Sequence, residues 1–381
     1  MKIAIPKERR ADEARVAASP DTVKKYVGMG FEVVVESGAG EGASLADASF
    51  VEAGATIAAD AAATLGDADI VLKVARPLTA AEGLDEVALM KSGAILISHL
   101  AALQNREQAE SYAKAGVTAF ALDMLPRISR AQNMDILSSQ SNLAGYKSVL
   151  DAAAVYGRAF PMMMTAAGTV PPARVLVLGA GVAGLQAIAT AKRLGAVVFA
   201  FDVRPAVKEQ VESLGGKFVE VEAPVESAET SGGYAKEMSD DYKRRQADRI
   251  AEVLKKTDIA ISTALIPGKP APVLITEEMV KGMRKGSVIV DLAVEAGGNC
   301  PLSEFGKVVE KHGVTLVGHA NVPSRLAADA SLLFAKNLLN FLTLSYDKEA
   351  KGLKINWDDE IIKGTALTRD GQVIHPALQA G

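Results

Sequence analysis

The residues best placed to do chemistry lie mid-chain, in Gly179-Ala180-Gly181-Val182-Ala183-Gly184. Glycines at this spacing suit a turn that wraps a pyrophosphate. Alone the pattern is weakly specific. Here an apolar strand, Val175–Leu178, precedes it, a helical stretch, Leu185–Leu194, follows, and an acid ends the next strand. Gly179 allows the tight turn, Gly181 lets backbone approach the phosphates, and Gly184 lets the helix pack close to the strand. The helix N-terminus offers unpaired N–H groups and partial positive charge to the same phosphates. Asp202 ends the strand Val197–Phe201, followed by Val203 and Arg204. A carboxylate there accepts both hydroxyls of an adenosine ribose and repels a 2′-phosphate. Arg204 is of the type that serves a 2′-phosphate, but the acid decides for NAD(H) as the expected cofactor. Gly179, Ala180, Gly181, Val182, Gly184, Asp202, Val203 and Arg204 are the expected contacts at the adenosine and pyrophosphate end.

A second dense polar stretch runs Pro126-Arg127-Ile128-Ser129-Arg130-Ala131-Gln132-Asn133-Met134-Asp135, with Ser138 just beyond. It joins a strand to a long helix, which predicts a place at the mouth of an interlobe cleft, where ligands usually sit. Arg127 and Asp135 have the types of a structural ion pair. A nicotinamide carboxamide needs donors and acceptors together, and Arg127, Gln132, Asp135 and Ser138 supply both. Arg127, Gln132 and Asp135 are therefore the candidate catalytic residues, with Ile128, Ser129, Asn133 and Met134 alongside.

The elements that must carry these loops read as two α/β lobes. In the first, strands are expected at Ile3–Ile5, Phe31–Val35, Ile70–Val74, Ala94–Ile97 and Val117–Ala121. One helix opens at Ser19-Pro20-Asp21 and closes near Gly28 and Gly30; another follows Asn105 and ends at Gly116. Alternation of this kind predicts a parallel sheet with helical crossovers. A helix is expected over Leu137–Phe160, stopped by Pro161, then a connection over Met162–Pro172. The second lobe shows six strands, at Val175–Leu178, Val197–Phe201, Phe218–Val221, Ile259–Ser262, Val288–Leu292 and Val314–Val317, enough for a complete dinucleotide fold. An insert over Glu222–Arg249 holds Gly232-Gly233-Tyr234 and a charged helix; its glycine pair reads as a mobile flap or a plain surface excursion. A second long helix, Arg325–Leu342, returns to the first lobe, and the tail is polar and short-stranded. The expected domains are residues 1–136 with 326–381, and 137–325. The fold class is α/β: two Rossmann-like lobes with parallel sheets, joined by two long helices, with the NAD site in the cleft.

Composition narrows the field. The chain has 381 residues, 49% apolar and 23% charged, with a net charge of −4. That gives no broad basic surface for nucleic acid. The lone Cys300 and four His cannot build a Cys-rich zinc site, so no metal is expected. The longest uncharged stretch, Val175–Ala191, holds three glycines and a glutamine and reads as strand, turn and helix rather than a membrane span. A soluble chain from a reducing compartment is expected.

The polar loop with the following Ile136-Leu137-Ser138-Ser139-Gln140-Ser141-Asn142-Leu143-Ala144-Gly145-Tyr146 resembles that of the NAD(H)-binding domain I, or alpha-1 subunit, of proton-translocating nicotinamide nucleotide transhydrogenase. The resemblance covers nearly the whole chain, including Ile5-Pro6-Lys7-Glu8, Arg15-Val16-Ala17, Met162–Gly168 and Leu265-Ile266-Pro267-Gly268-Lys269. It implies a Re/Si-specific NAD(P)+ transhydrogenase acting as part of a complex. Its domain I is a homodimer, peripheral on the inner face of the bacterial plasma membrane. It docks on a membrane domain II that conducts protons and a domain III that binds NADP(H), both here on other chains. Hydride passes directly between the two nicotinamide rings, so orientation and water exclusion are the protein's task. By position, Arg127, Gln132, Asp135 and Ser138 hold nicotinamide and ribose, with Gln132 also facing the partner's nucleotide. Val182, Asp202 and Arg204 hold the pyrophosphate and adenosine. The flap at Gly233-Tyr234 closes over the site, lined by Gln246 and Leu265.

The scaffold also resembles alanine dehydrogenase. Arg15 is of the type to hold a substrate carboxylate, and Lys73 and His99 match that family's catalytic motifs and form a plausible proton-handling pair. The dehydrogenase has aspartate where this chain has Glu295, and no counterpart to the loop with Arg127 and Gln132. Lys73 and His99 therefore read as inherited structural residues. A module that binds NAD without chemistry is a third reading, separable by assay.

Overall fold

The computed structural model describes residues 1–221, 239–266 and 268–379. The chain divides into two compact units, Met1–Gln140 with the segment from Ser324 onward, and Ser141–Pro323.

The first unit is built on a wholly parallel sheet of β1 (Lys2–Ile5), β2 (Glu32–Glu36), β3 (Thr56–Ala58), β4 (Ile70–Ala75), β5 (Ile95–His99) and β6 (Thr118–Ala121). Strand order is β3-β2-β1-β4-β5-β6, so the sheet reverses direction of winding between β1 and β4. Its strands are apolar on both faces because both are covered. Ile3, Ile5, Val33 and Val35 enter one core cluster, and Ala4 and Val34 the other. The crossovers include α1 (Pro20–Gly28), α2 (Asp47–Glu52), α3 (Ala61–Leu65) and α4 (Arg106–Lys114). The expected cap on α1 is present: Ser19 Oγ accepts from Thr22 N, Ser19 N donates to Thr22 Oγ1, and Pro20 takes the first turn. Sequence reading misses β3, whose three half-exposed residues are too few to show a period.

The helix α5 (Ile136–Val155) runs across the boundary between the units. It stops short of the expected Phe160. Tyr156 and Phe160 instead turn into the second unit's core with their rings edge to face, 5 residues earlier than Pro161 requires, and Gly157 lies between them. Nor is Met162–Pro172 a plain connection: it forms a hairpin of β7 (Met163–Thr165) and β8 (Gly168–Val170).

The second unit repeats the first unit's winding. Its sheet runs β11 (Lys217–Phe218), β10 (Val197–Phe201), β9 (Arg174–Leu178), β12 (Ile259–Ser262), β13 (Val288–Asp291), β15 (Val314–Gly318), then β14 (Lys307–Lys311). All are parallel except β14, which pairs antiparallel with β15. That edge strand escapes sequence reading, because three of its five residues are charged. Helices α6 (Val182–Arg193), α7 (Lys208–Ser213), α8 (Asp240–Leu254) and α9 (Glu277–Lys281) complete the unit. The charged helix of the insert is α8, capped by Ser239, whose side chain accepts from Tyr242 N. The Gly233-Tyr234 flap lies outside the described residues.

From Ser324 the chain belongs to the first unit again. It forms α10 (Ala327–Leu344), the ribbon β16 (Tyr346–Asp347) and β17 (Gly352–Leu353), α11 (Glu360–Thr365), the ribbon β18 (Thr368–Arg369) and β19 (Gln372–Val373), and α12 (Pro376–Gln379). No helix among the described residues is long and apolar enough to cross a membrane.

Candidate functional site

In the second unit the turn between β9 and α6 has the geometry its glycines imply. Gly179 has φ +95, a conformation that favours glycine. A Cβ at Gly184 would lie 1.8 Å from Gly179 O, so the helix closes directly on the turn. At Gly181 a Cβ would meet nothing within 4 Å. The space before that amide is open to whatever approaches α6. No side chain caps the N-terminus of α6, which leaves its first N–H groups for an anion. Val182, at the first position, is exposed.

Asp202 sits just past β10, and its carboxylate is almost wholly buried. Oδ2 accepts from Ala180 N at 2.8 Å, which ties β10 to the phosphate turn. Arg204 grips the same carboxylate side-on, with Nε to Oδ1 at 2.9 Å and Nη2 to Oδ2 at 2.8 Å, while its own N–H adds a bond to Oδ1 at 2.9 Å. Tyr242 of α8 lies close enough for the Asp202 charge to help burial push its phenol pKa up. Gln246, one turn further along α8, is buried. Leu265, in the loop after β12, is half-exposed. Val203 packs on the apolar cluster beneath.

Sequence reading misses the frame that holds this turn from behind. Thr263 Oγ1 donates to Gly179 O at 3.1 Å. Asn299, fully buried, accepts from Ala264 N and donates to Ala264 O and Pro272 O. Buried Asp291 accepts from Ala293 N, Asn299 N, Cys300 N and Ser262 Oγ. These bonds fix the loop after β12 beside the glycine turn, and each buried polar group is satisfied. Gly145 is missed as well: a Cβ there would lie 2.0 Å from Ala183 O, so α5 packs backbone to backbone on the first turn of α6. A glycine inside a helical pattern is the available signal.

The polar loop lies in the first unit as a 3-10 stretch, Ser129–Met134. Ala131 and Met134 are buried in the core beneath it, with Ile128 packed against them. Arg127, Ser129, Gln132 and Asn133 are turned outward. Met134, expected at the cofactor, is instead a core side chain. Asp135 and Ser138 bond each other: Asp135 Oδ1 accepts from Ser138 N at 2.9 Å and Oδ2 from Ser138 Oγ at 2.5 Å. Asp135 thus caps α5.

Lys73 is buried between two carboxylates, 3.2 Å from Glu8 Oε2 and 3.1 Å from Glu86 Oε1. Glu8 Oε1 also accepts from Val74 N and Ala75 N, where β4 slips register against β5. Glu86 Oε2 accepts from Leu78 N. Burial raises the Glu8 pKa, against the pull of Lys73. Arg15 is held in a fork by Glu13, at 2.8 and 2.6 Å, and donates to Gln140 Oε1 at 2.9 Å. His99 ends β5, half-buried. Glu295 Oε1 accepts from Asn321 N at 2.6 Å. Among the described residues no group of His, Cys, Asp and Glu is disposed to hold a metal ion.

Two parallel sheets wound alike, with a glycine turn leading to an acid on the second, define an α/β dinucleotide-binding class of protein. Family models of the alanine dehydrogenase/PNT N-terminal domain and C-terminal domain match residues 4–144 and 148–376. The chain belongs to the alanine dehydrogenase/PNT family. It is 68% identical over 379 residues to the first portion of the NAD(P) transhydrogenase alpha subunit of Rhodospirillum rubrum, a separate chain there, covering 99% of both chains. A transhydrogenase structure from Sinorhizobium meliloti superposes with a TM-score of 0.88 at 51% identity, covering 98% of this chain and 100% of that one. An L-alanine dehydrogenase structure gives 0.82 at 28%, covering 100% and 98%. The likeness in sequence is thus far greater to the transhydrogenase alpha chains.

Proposed function

We propose that this chain is the NAD(H)-binding alpha component of a proton-translocating transhydrogenase. The observation that carries the reading is the open space before Gly181, beside an uncapped helix N-terminus and an acid bonded to the same turn. The donors and the room suit a pyrophosphate, and the acid suits a ribose diol. Val182 and Asp202, with Arg204, take the pyrophosphate and adenosine. Gln246, Leu265, Gly233 and Tyr234 complete that end of the site.

When bound, the nicotinamide supplies a hydride that passes directly to NADP+ held on another chain. No general acid or base is needed for that step, so the residues act by orientation and by keeping water out. Arg127, Gln132 and Ser138, with Asp135 setting the start of α5, offer donors and acceptors to the nicotinamide and its ribose. The transfer is Re/Si-specific and coupled to proton movement through a membrane subunit, so the chain works at the cytoplasmic face of a bacterial plasma membrane. A second copy of the chain covers the hairpin of Met162, Met163 and Met164, whose side chains are exposed.

The test is an assay of hydride exchange between NADH and an NADP+ analogue. Activity is expected only when the NADP(H)-binding subunit is added, and Gln132→Asn should slow it far more than it weakens NADH binding. Alanine-dependent NAD+ reduction by the chain alone would replace this reading with the dehydrogenase. Tight NADH binding with neither reaction would leave a binding module.

A further inference from the structure

Gln132 lies between two anchors that are supplied by the C-terminal segment. On one side, Arg130 makes a two-pronged pair with Asp359, Nη1 to Oδ2 at 2.7 Å and Nη2 to Oδ1 at 2.9 Å. Asp359 is itself fixed, since Oδ1 accepts from Ile361 N at 2.8 Å as the cap of α11. On the other side, Asn133 O accepts from Asn337 Nδ2 at 2.9 Å and Asn340 Nδ2 at 2.8 Å. These two asparagines stand one turn apart on α10, on one helical face. Asn337 is locked in turn, its Oδ1 accepting from Ser139 Oγ at 2.8 Å. Directly beneath, Ala131 and Met134 are pegged into the core. The backbone on both sides of Gln132 is therefore held while its side chain stays exposed.

A surface loop of 3-10 turns does not need two asparagines on one carbonyl and a planar guanidinium–carboxylate fork to remain folded. Each such fork gives geometric definition as well as attraction. An exposed pair of this kind adds little to stability. What it adds is restricted freedom for the residue between the anchors, and misplacement by about 1 Å costs a transfer reaction on the order of a hundredfold. We infer that Arg130, Asp359, Asn337 and Asn340 are positioning residues that set the Gln132 side chain for hydride transfer. The inference rests on the proposed role of Gln132.

The experiment uses the full chain with its NADP(H)-binding subunit and compares Arg130→Ala, Asn340→Ala, their combination, Arg130→Lys and Gln132→Asn. Both alanine sites are at the surface. Hydride exchange at saturating nucleotides and NADH affinity are read separately, with amide hydrogen exchange of residues 127–135. The double variant should lose roughly tenfold or more in transfer rate, with NADH affinity unchanged and faster amide exchange in the loop. Arg130→Lys should recover part of the rate. If Gln132→Asn slows transfer and the double variant does not, the positioning role is overturned while the reading of the loop stands. Loss of NADH affinity in step with rate also overturns it. If Gln132→Asn itself leaves the rate unchanged, the reading of the loop fails and takes this inference with it.

Discussion

Asp202 and Arg204 hold each other in a side-on fork while Asp202 also accepts the N–H of Ala180. The carboxylate thus has four N–H donors already, counting the Arg204 amide, which matches its capacity of about four acceptor positions. Ribose hydroxyls that bind there must take the place of guanidinium donors. Asp202→Asn removes the charge that makes that exchange favourable. Hydrogen bonds to charged groups contribute about 1.5–3 kcal/mol, so NADH affinity should fall roughly ten- to a hundredfold. Discrimination against NADPH should relax in the same variant. Titration of both nucleotides checks this, and unaltered NADH affinity removes Asp202 from the ribose site.

Two glycines of one turn should behave differently. Gly181→Ala meets no protein atom within 4 Å, whereas a Cβ at Gly184 would sit 1.8 Å from Gly179 O. Gly181→Ala should keep the melting temperature and lose NADH affinity. Gly184→Ala should lower the melting temperature by forcing α6 off β9, a strain of the kind that costs about 1–3 kcal/mol or more. Equal effects on folding would mean that Gly181 is there for the chain and not for a ligand.

The contrast between those glycines shows what the sequence makes legible. The glycine turn, Asp202 and the strands Val197–Phe201 and Ile259–Ser262 are encoded within a few neighbouring residues, and the structure places them as expected. The fork from Arg204 to Asp202, the Lys73 cluster and the clamp on Asn133 depend on side-chain rotamers or on contacts across many residues of chain, as from Asn133 to Asn340. Periodicity does not report those. Met134 shows the same limit: it lies in a polar run, yet its side chain faces the core. The end of α5 is hidden in the sequence because Tyr156 and Phe160 keep an apolar rhythm after the helix has stopped.

His375 should make the C-terminal segment acid-sensitive. Its Nδ1 accepts from Ala377 N at 3.2 Å and its Nε2 lies 3.2 Å from Gly364 O, which assigns the neutral ring with the proton on Nε2. Burial lowers its pKa below the usual 6.5. The unfolded chain therefore takes up the proton first, so stability is full above 6.5 and is lost as pH falls toward the folded value. Denaturant unfolding between about pH 7 and pH 5 should show a decline that His375→Gln flattens. An identical slope in the variant would exclude His375 as the source.

Lys73 should prove structural. Its ammonium lies between Glu8 and Glu86 with all three side chains buried, and those carboxylates satisfy the backbone N–H groups of Val74, Ala75 and Leu78. Lys73→Ala leaves two buried carboxylates facing each other without a counter-charge. Removing one partner from a buried ionic group costs about 3–5 kcal/mol. Protonation of Glu8, whose pKa burial already raises, would offset part of that cost at low pH, so the loss should be largest at neutral pH and above. Urea unfolding at two pH values measures it. Below the melting transition, NADH affinity and hydride exchange should be unchanged, because the backbone bonds of this cluster run to β4 and the turn after it. A variant that stayed stable but lost hydride exchange would instead make Lys73 a participant in the reaction.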